Sequence, residues 1–149
     1  MSGGPLEGIR VIDQTTVVVG PICSRTLADY GADVIKVEAP SGDLLRTMAK
    51  GSRNPGMSGK FLNFNRNKRS ICLDIKKKAG LDVLKKLIST ADVFVSNVRP
   101  QGLARAGLAY EDLAKDTLGS FIVLLLGLVK EGAIIIGLHM TQLFRVFLA

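Results

Sequence analysis

The chain has a single histidine and two cysteines, and only 5% of its residues are aromatic. Cys23 and Cys72 lie far apart, with no metal-ligand spacing around either. Both are expected to be reduced, buried and inert, and no metal site is expected. The segment from Met1 to Gly8 has no basic start followed by an apolar stretch, so no export signal is read there and a cytoplasmic location follows. Long apolar runs are also missing. Phe121 to Val129 spans only nine residues before Lys130 and Glu131, too short to cross a bilayer.

Charge is present but unevenly spread. The net charge is +7, and between Arg46 and Lys86 there are twelve lysines and arginines against two acids, Asp74 and Asp82. Such a stretch attracts phosphates. Nucleic acid is disfavoured as the partner, because no aromatic residues interleave the cations and no RNP, zinc-finger or helix-turn-helix wording occurs. The most informative part is Asn65 to Lys76, where a basic loop runs into a short β-branched strand ending on lysine. The loop can hold an anion, and the strand offers apolar surface and backbone groups to a flat ring. Together they suggest a nucleotide-like ligand.

At 149 residues the chain has the length of one domain, and 47% hydrophobic content excludes wholesale disorder. Ile9 to Asp13 reads as a strand. Gly20-Pro21 opens a helix that runs to Tyr30 and ends at Gly31, with Ile22, Leu27 and Tyr30 available for burial. Asp33 to Glu38 is a second strand, which makes a βαβ unit and implies a right-handed parallel crossover. Residues 50–60 read as a loop and Ser70 to Ile75 as a third strand. Ala79 to Thr90 is an amphipathic helix with Leu81, Leu84, Leu87 and Ile88 on one face. Asp92 to Asn97 is a fourth strand, and short helices follow at Gly102 to Ala106 and Tyr110 to Lys115. Alternating strands and helices give an α/β layered domain.

A dinucleotide fold would place a ribose-binding acid where Glu38 stands. The loop after the first strand lacks G-x-G-x-x-G, however. It reads Asp13-Gln14-Thr15-Thr16-Val17-Val18-Val19-Gly20-Pro21, and one glycine followed by proline cannot form the pyrophosphate turn. Glu38 is therefore read as structural.

Several blocks then carry a resemblance. Leu6 to Asp13 followed by Gly20-Pro21, then Leu27 to Glu38, then Gly42-Asp43 with Arg46, occur in order. Asn65 to Lys76 follows, then Ala91-Asp92-Val93 with Asn97, Pro100, Arg105 and Gly107-Leu108. Over about residues 5 to 116 this resembles the class III coenzyme A transferase (CaiB/BaiF) family, which includes formyl-CoA transferases and α-methylacyl-CoA racemases. The resemblance implies a Rossmann-like parallel sheet with flanking helices and CoA or acyl-CoA bound at strand ends. It also implies a carboxylic acid as second substrate and a homodimer of interlocked chains. By resemblance, Leu73, Ile75 and Lys76 match the adenine and phosphate-edge segment, and Asn97 and Arg105 match positions that contact CoA. Arginine suits phosphate through its fork of donors. One departure is Ala39, where family members often carry an arginine that reaches CoA.

After about Asp116 the family wording stops, so residues 1–116 and 117–149 are read as separate parts. Translated one frame away, Met140-Thr141 contains an aspartate codon, preceded by one for tyrosine or histidine. Leu126 to Lys130 can yield Gly-Phe-Gly-Gln, and Phe121 to Val123 permits Ile-Tyr-Cys. The family carries these motifs in this order, so the apolar tail reads as a frameshifted continuation. His139, being out of frame, is given no catalytic role. The transferase nucleophile implied by the family is an aspartate beyond the end of this chain. Asp13, Asp29, Asp33 and Asp43 are read as turn, cap or loop residues, and the truncated chain is expected to be inactive. The other readings are an acyl-CoA racemase or epimerase of the same family, or a non-catalytic CoA-binding remnant.

Overall fold

The structure, a computed structural model, describes residues 3–48 and 53–113, and the backbone of 121–125 and 136–139. Among these residues six strands form one sheet in the order β3-β2-β1-β4-β5-β6. The elements run β1 (Arg10–Gln14), α1 (Val19–Asp29), β2 (Asp33–Glu38), a 3₁₀ helix (Leu44–Arg46), α2 (Gly59–Asn65), β3 (Arg69–Cys72) and α3 (Lys78–Ile88). They continue with β4 (Val93–Ser96), α4 (Pro100–Arg105), α5 (Tyr110–Leu113), β5 (Phe121–Leu125) and β6 (Ile136–His139). The pairs among β1 to β5 are parallel, and β6 is antiparallel to β5. The α/β parallel sheet with flanking helices is thus as expected. Two segments of the apolar tail join it, with Val93 opposite Phe121 and Ile122 opposite His139. The rest of the tail lies outside the described residues.

The central strands are apolar at successive positions because both faces of the sheet are covered. Val11, Val34 and Val95 pack with Ala28 and Ala32 under α1. Ile12, Ile35 and Phe94, each adjacent in sequence to one of these valines, point the other way and pack with Leu84, Ile88, Leu103 and Leu108. Leu81 and Leu87 pack at the margin of that second cluster, so the stripe read on α3 is the one that is buried.

The inward face of α1 differs from expectation. Gly20, Pro21, Ser24 and Ala28 are buried, whereas Tyr30 is 55% exposed. Small residues at four-residue spacing let α1 lie close to the loop after β1. A Cβ on Gly20 would come within 2.3 Å of Thr15 Cβ. Tyr30 falls at the C-cap, where the chain turns away. There Gly31 N–H donates to Ala28 C=O (3.0 Å) and Ala32 N–H to Leu27 C=O (3.1 Å). This is the paired bonding of a Schellman ending, which needs the positive φ that Gly31 adopts (100°).

Three further differences have local causes. β3 stops at Cys72 rather than Ile75, although Leu73 N–H still donates to Glu38 C=O (2.8 Å). Leu73 and Ile75 leave the strand and pack against the core from a loop. Cys72 is exposed, not buried, because β3 is the edge strand and Cys72 alternates outward past Ile71; Cys23 is half-buried. Finally, α2 begins at the end of the expected loop. Ser58 caps it by accepting from Phe61 N–H (3.1 Å) and donates its own hydroxyl to Leu45 C=O.

Gly31 and Gly8 separate two costs of a side chain. Both have positive φ, but a Cβ on Gly31 would also lie 2.9 Å from Gly4 N, while Gly8 has open space. Gly8→Ala is expected to lower stability by about 1 kcal/mol, and Gly31→Ala by clearly more, about 2 kcal/mol or above. Urea denaturation checks the order, and equal losses would contradict the packing argument.

Candidate functional site

β1 sits between β2 and β4, so the chain winds outward through β2 and β3 and then returns to the other side of β1. The C-terminal ends of β1 and β4 therefore flank a crevice, the place where open α/β sheets bind ligands. Residues after β1 (Thr15 to Val18) and after β4 (Asn97 to Arg99) border it.

Side chains hold the backbone of the first of these loops. Asp13 Oδ1 accepts from Thr15 N–H (2.9 Å) and from its hydroxyl. Lys36 Nζ donates to Thr15 C=O (2.8 Å). Asn97 accepts from Thr16 N–H (3.1 Å) and donates to Thr16 C=O (2.9 Å). Both oxygens of Asp43 lie 3.3 Å from Val17 N. Val17 itself has φ 71°, in the left-handed region that β-branched residues avoid.

Behind the loop lies a buried ionic cluster. Lys68 Nζ is 2.9 Å from Asp13 Oδ2, Pro21 C=O, Ser24 Oγ and Asn65 Oδ1. Lys36 Nζ is 3.2 Å from Asp43 Oδ2, and all four charged side chains are at most 1% exposed. Burial pushes Lys68 below the ordinary lysine range, with Asp13's charge and hydrogen bond pulling it back. Burial, with the Asp13 charge, pushes the Cys23 thiol up, so little thiolate forms there.

Farther along the same edge, a cleft of about 320 Å³ lies between the ends of β2 and β3, lined by Glu38 to Gly42, Arg46, Ser70 and Cys72. Arg46 grips Glu38 with two bonds, Nη2 to Oε1 (2.7 Å) and Nε to Oε2 (2.8 Å), and stacks over the Phe61 ring at 3.8 Å. Burial works to raise the Glu38 pKa. The Arg46 bonds and charge, Lys36 and the Asp43 N–H outweigh it and hold the carboxyl below its ordinary value. Both carboxylate oxygens of Glu38 are thus bonded within the chain.

The basic run departs from expectation. Arg66 pairs with Asp29 (2.7 Å), Arg69 with Asp33 (2.8 Å) and Lys68 with Asp13, so these cations bind the chain's own acids. Asp43 is the cap it was read as, accepting from Leu45 N–H (2.9 Å). Asp13, Asp29 and Asp33 do more than end a turn, since each holds a cation. Their partners lie up to 55 residues away, and no local signal marks them.

The five residues matched to CoA contacts divide. Leu73, Ile75 and Lys76 follow β3, and Asn97 follows β4, at the same edge of the sheet. Leu73 and Ile75 are partly buried against the core, and Lys76 is exposed. Arg105 is exposed at the last turn of α4, about 7.5 Å along the helix from its start. Among the described residues no acid lies within ion-pair distance of Lys76 or Arg105, and no His, Cys, Asp and Glu cluster could hold a metal. No helix there is long and apolar enough to cross a membrane.

The model of CoA-transferase family III matches residues 6–117, and the chain belongs to that family. It is 35% identical over 130 residues to (R)-2-hydroxy-4-methylpentanoate CoA-transferase of Clostridioides difficile, covering 85% of this chain and 33% of that protein. It is 46% identical over 112 residues to mouse (Mus musculus) succinyl-CoA:glutarate CoA-transferase, covering 74% and 26%. A crystal structure of a CaiB/BaiF family protein from Brucella suis superposes with a TM-score of 0.77 at 35% identity, covering 81% of this chain and 33% of that one. The chain thus spans a quarter to a third of the length of these relatives.

The Glu38–Arg46 pair sets an acid dependence. A carboxyl whose folded pKa is lowered adds stability that is complete above its ordinary value, 4.5 here, and is lost as pH falls through the folded value. Asp29, held down first by its Arg66 hydrogen bond, adds to this below 3.8. Arg46→Met leaves Glu38 buried without its partner and is expected to cost about 3 kcal/mol at neutral pH. Because the unpaired carboxyl then takes up its proton above its ordinary value of 4.5, the gap to wild type should begin to narrow above that pH and go on narrowing below it as wild type loses the pair. Chemical denaturation at several pH values checks this, and a gap independent of pH would refute it.

Proposed function

We propose that this chain forms the CoA-binding layer of a CoA-transferase, with CoA or an acyl-CoA lying along the C-terminal edge of the sheet. The observation that carries the reading is that Lys76 and Arg105 are exposed and have no acidic partner among the described residues, whereas Arg66, Lys68 and Arg69 are paired. On this reading Lys76 and Arg105 meet the phosphates of CoA, and Leu73 and Ile75 back the adenine. The whole protein would move CoA between carboxylic acids. An aspartate carboxylate attacks the acyl-CoA thioester and displaces CoA thiolate, leaving a mixed anhydride; the thiolate then attacks the aspartyl carbonyl and expels the donor carboxylate, which gives an aspartyl-CoA thioester. Asp13, Asp29, Asp33 and Asp43 are not that aspartate, since each is bound to a cation. A homodimer in the cytoplasm belongs to the same reading.

Calorimetry with CoA tests it. Arg105→Ala and Lys76→Ala are each expected to weaken binding about tenfold or more, the loss of a charge-assisted hydrogen bond. Arg105→Lys should recover only part, having lost the fork of donors. Arg69→Ala should leave affinity nearly unchanged. No heat at about 1 mM CoA from a folded sample would sink the proposal, since even a weak specific site would register there.

The division near residue 117 and the frameshifted origin of the tail are also part of this reading. The family match ending at residue 117 supports it. Two observations pull the other way. The Clostridioides difficile relative covers 85% of the chain and so runs past that point, and Phe121–Leu125 is strand-forming as it stands. The nucleotide sequence around codons 115 to 120 decides the matter. The expected result is family wording in the adjacent frame; its absence overturns the proposal.

A further inference from the structure

Four consecutive side chains at the entry to β3 are each bonded to a carboxylate of β1, α1 or β2. Arg66 donates twice to Asp29 (2.7 and 3.2 Å) and Asn67 once to the same group (2.8 Å). Lys68 donates to Asp13 (2.9 Å), and Arg69 twice to Asp33 (2.8 and 2.9 Å). The turn is shaped for this, because Asn67 has φ 62°, a conformation that asparagine tolerates better than most residues.

Apolar packing holds the same segment only lightly. Of residues 59–72, Phe61 is the one buried apolar side chain, Ile71 is partly buried, and Leu62 is 51% exposed. β3 is the edge strand and, among the described residues, pairs with β2 alone. The two buried clusters are built by β1, β2, β4, α1 and the helices after β3, and they stay covered without residues 59–72.

The carboxylates are also shared. Asp29 lies 3.6 Å from Arg25 of its own helix, and Asp33 lies 3.0 Å from Arg10 of β1. Both therefore keep a cation when Arg66 and Arg69 leave. Asp13 loses Lys68 but keeps its bonds from Thr15 and Ser24. The backbone groups freed along β3 take water, so each hydrogen bond lost there costs little net. Lifting this segment is thus far less costly than unfolding the sheet beneath it.

We infer that residues 59–72 form a strap, latched by the carboxylates of Asp13, Asp29 and Asp33, that opens as one unit while β1, β2 and β4 stay folded. Lys68, buried with Asp13, is the strong latch. Arg66 and Arg69, whose pairs are partly exposed, are the weak ones. Opening bares the outer edge of β2, whose unpaired backbone groups could then accept another strand.

Hydrogen exchange of the full chain, followed by NMR at rising urea below the unfolding midpoint, tests this. The strap is read at the Leu73 and Leu62 amides, bonded to Glu38 C=O and Ser58 C=O, and the body at the β1–β2 ladder. In wild type the two strap amides are expected to merge onto one curve, exchanging about 100-fold or more faster than the ladder and with a shallower urea dependence. Val95→Ala weakens the cluster that contains no strap residue. It should speed the ladder about tenfold or more and the strap amides by less than about twofold. Arg66→Gln combined with Arg69→Gln should speed the strap amides about tenfold, from the loss of two partly exposed pairs. One rate and one urea slope for strap and ladder in wild type, or equal acceleration of both by Val95→Ala, means a single cooperative unit and overturns the inference. Unchanged exchange at Leu73 and Leu62 in the double arginine variant rules out the latch.

Discussion

The buried carboxylate of Asp13 is the point on which the C-terminal edge of the sheet depends. One oxygen holds Thr15, and the other takes Ser24 from α1 and Lys68 from the segment before β3. A single side chain therefore fixes the loop after β1, the seating of α1 and the entry to β3. Isolated, such a charge would be expelled from the interior. It stays because Lys68 supplies the opposite charge and hydroxyl and amide donors fill its other lone pairs. Buried pairs of this kind add little net stability over an apolar replacement, so their effect here is on geometry. The second pair, Lys36 with Asp43, acts the same way one strand over, and its lysine also reaches the Thr15 carbonyl.

These pairs explain which parts of the molecule were legible in the sequence. β1, β2, β4 and α3 were placed within a few residues, because strands buried on both faces are continuously apolar and α3 carries one apolar stripe. Tyr30 and Cys72 were assigned to the interior on residue type alone. Their exposure follows from position, one at a helix cap and the other on an edge strand. α2 has no apolar period long enough to detect, and its one signal was the capping Ser58. The pairing within the basic run is hidden from sequence for a different reason. Sequence shows where cations are but not where their partners are, and Asp29, Asp33 and Asp13 lie 36 to 55 residues from Arg66, Arg69 and Lys68. Of the five matched positions, Lys76 and Arg105 are exposed, and Leu73 and Ile75 are partly buried. Asn97 is at the crevice but already bonded to the chain.

The edge that results has two parts with different physics. The loop after β1 is backed by buried ions and hydrogen-bonded at every backbone group from Thr15 N to Val17 N. Lys76 and Arg105, by contrast, are on long, exposed side chains that would pay conformational entropy on binding any ligand. Attraction between exposed charges is screened by salt within about 10 Å, whereas the shape of the loop is not. Affinity for a polyphosphate can therefore vary with ionic strength while the position of the ligand's remaining atoms stays fixed by the loop. If the edge serves group transfer as proposed, this separation matters, because misplacing the reacting carbon by about 1 Å costs far more rate than a modest loss of phosphate binding. It also accounts for the distribution of charge along Asn65 to Lys76. The first cations of the run, Arg66, Lys68 and Arg69, lock the scaffold, and the last one, Lys76, is left exposed.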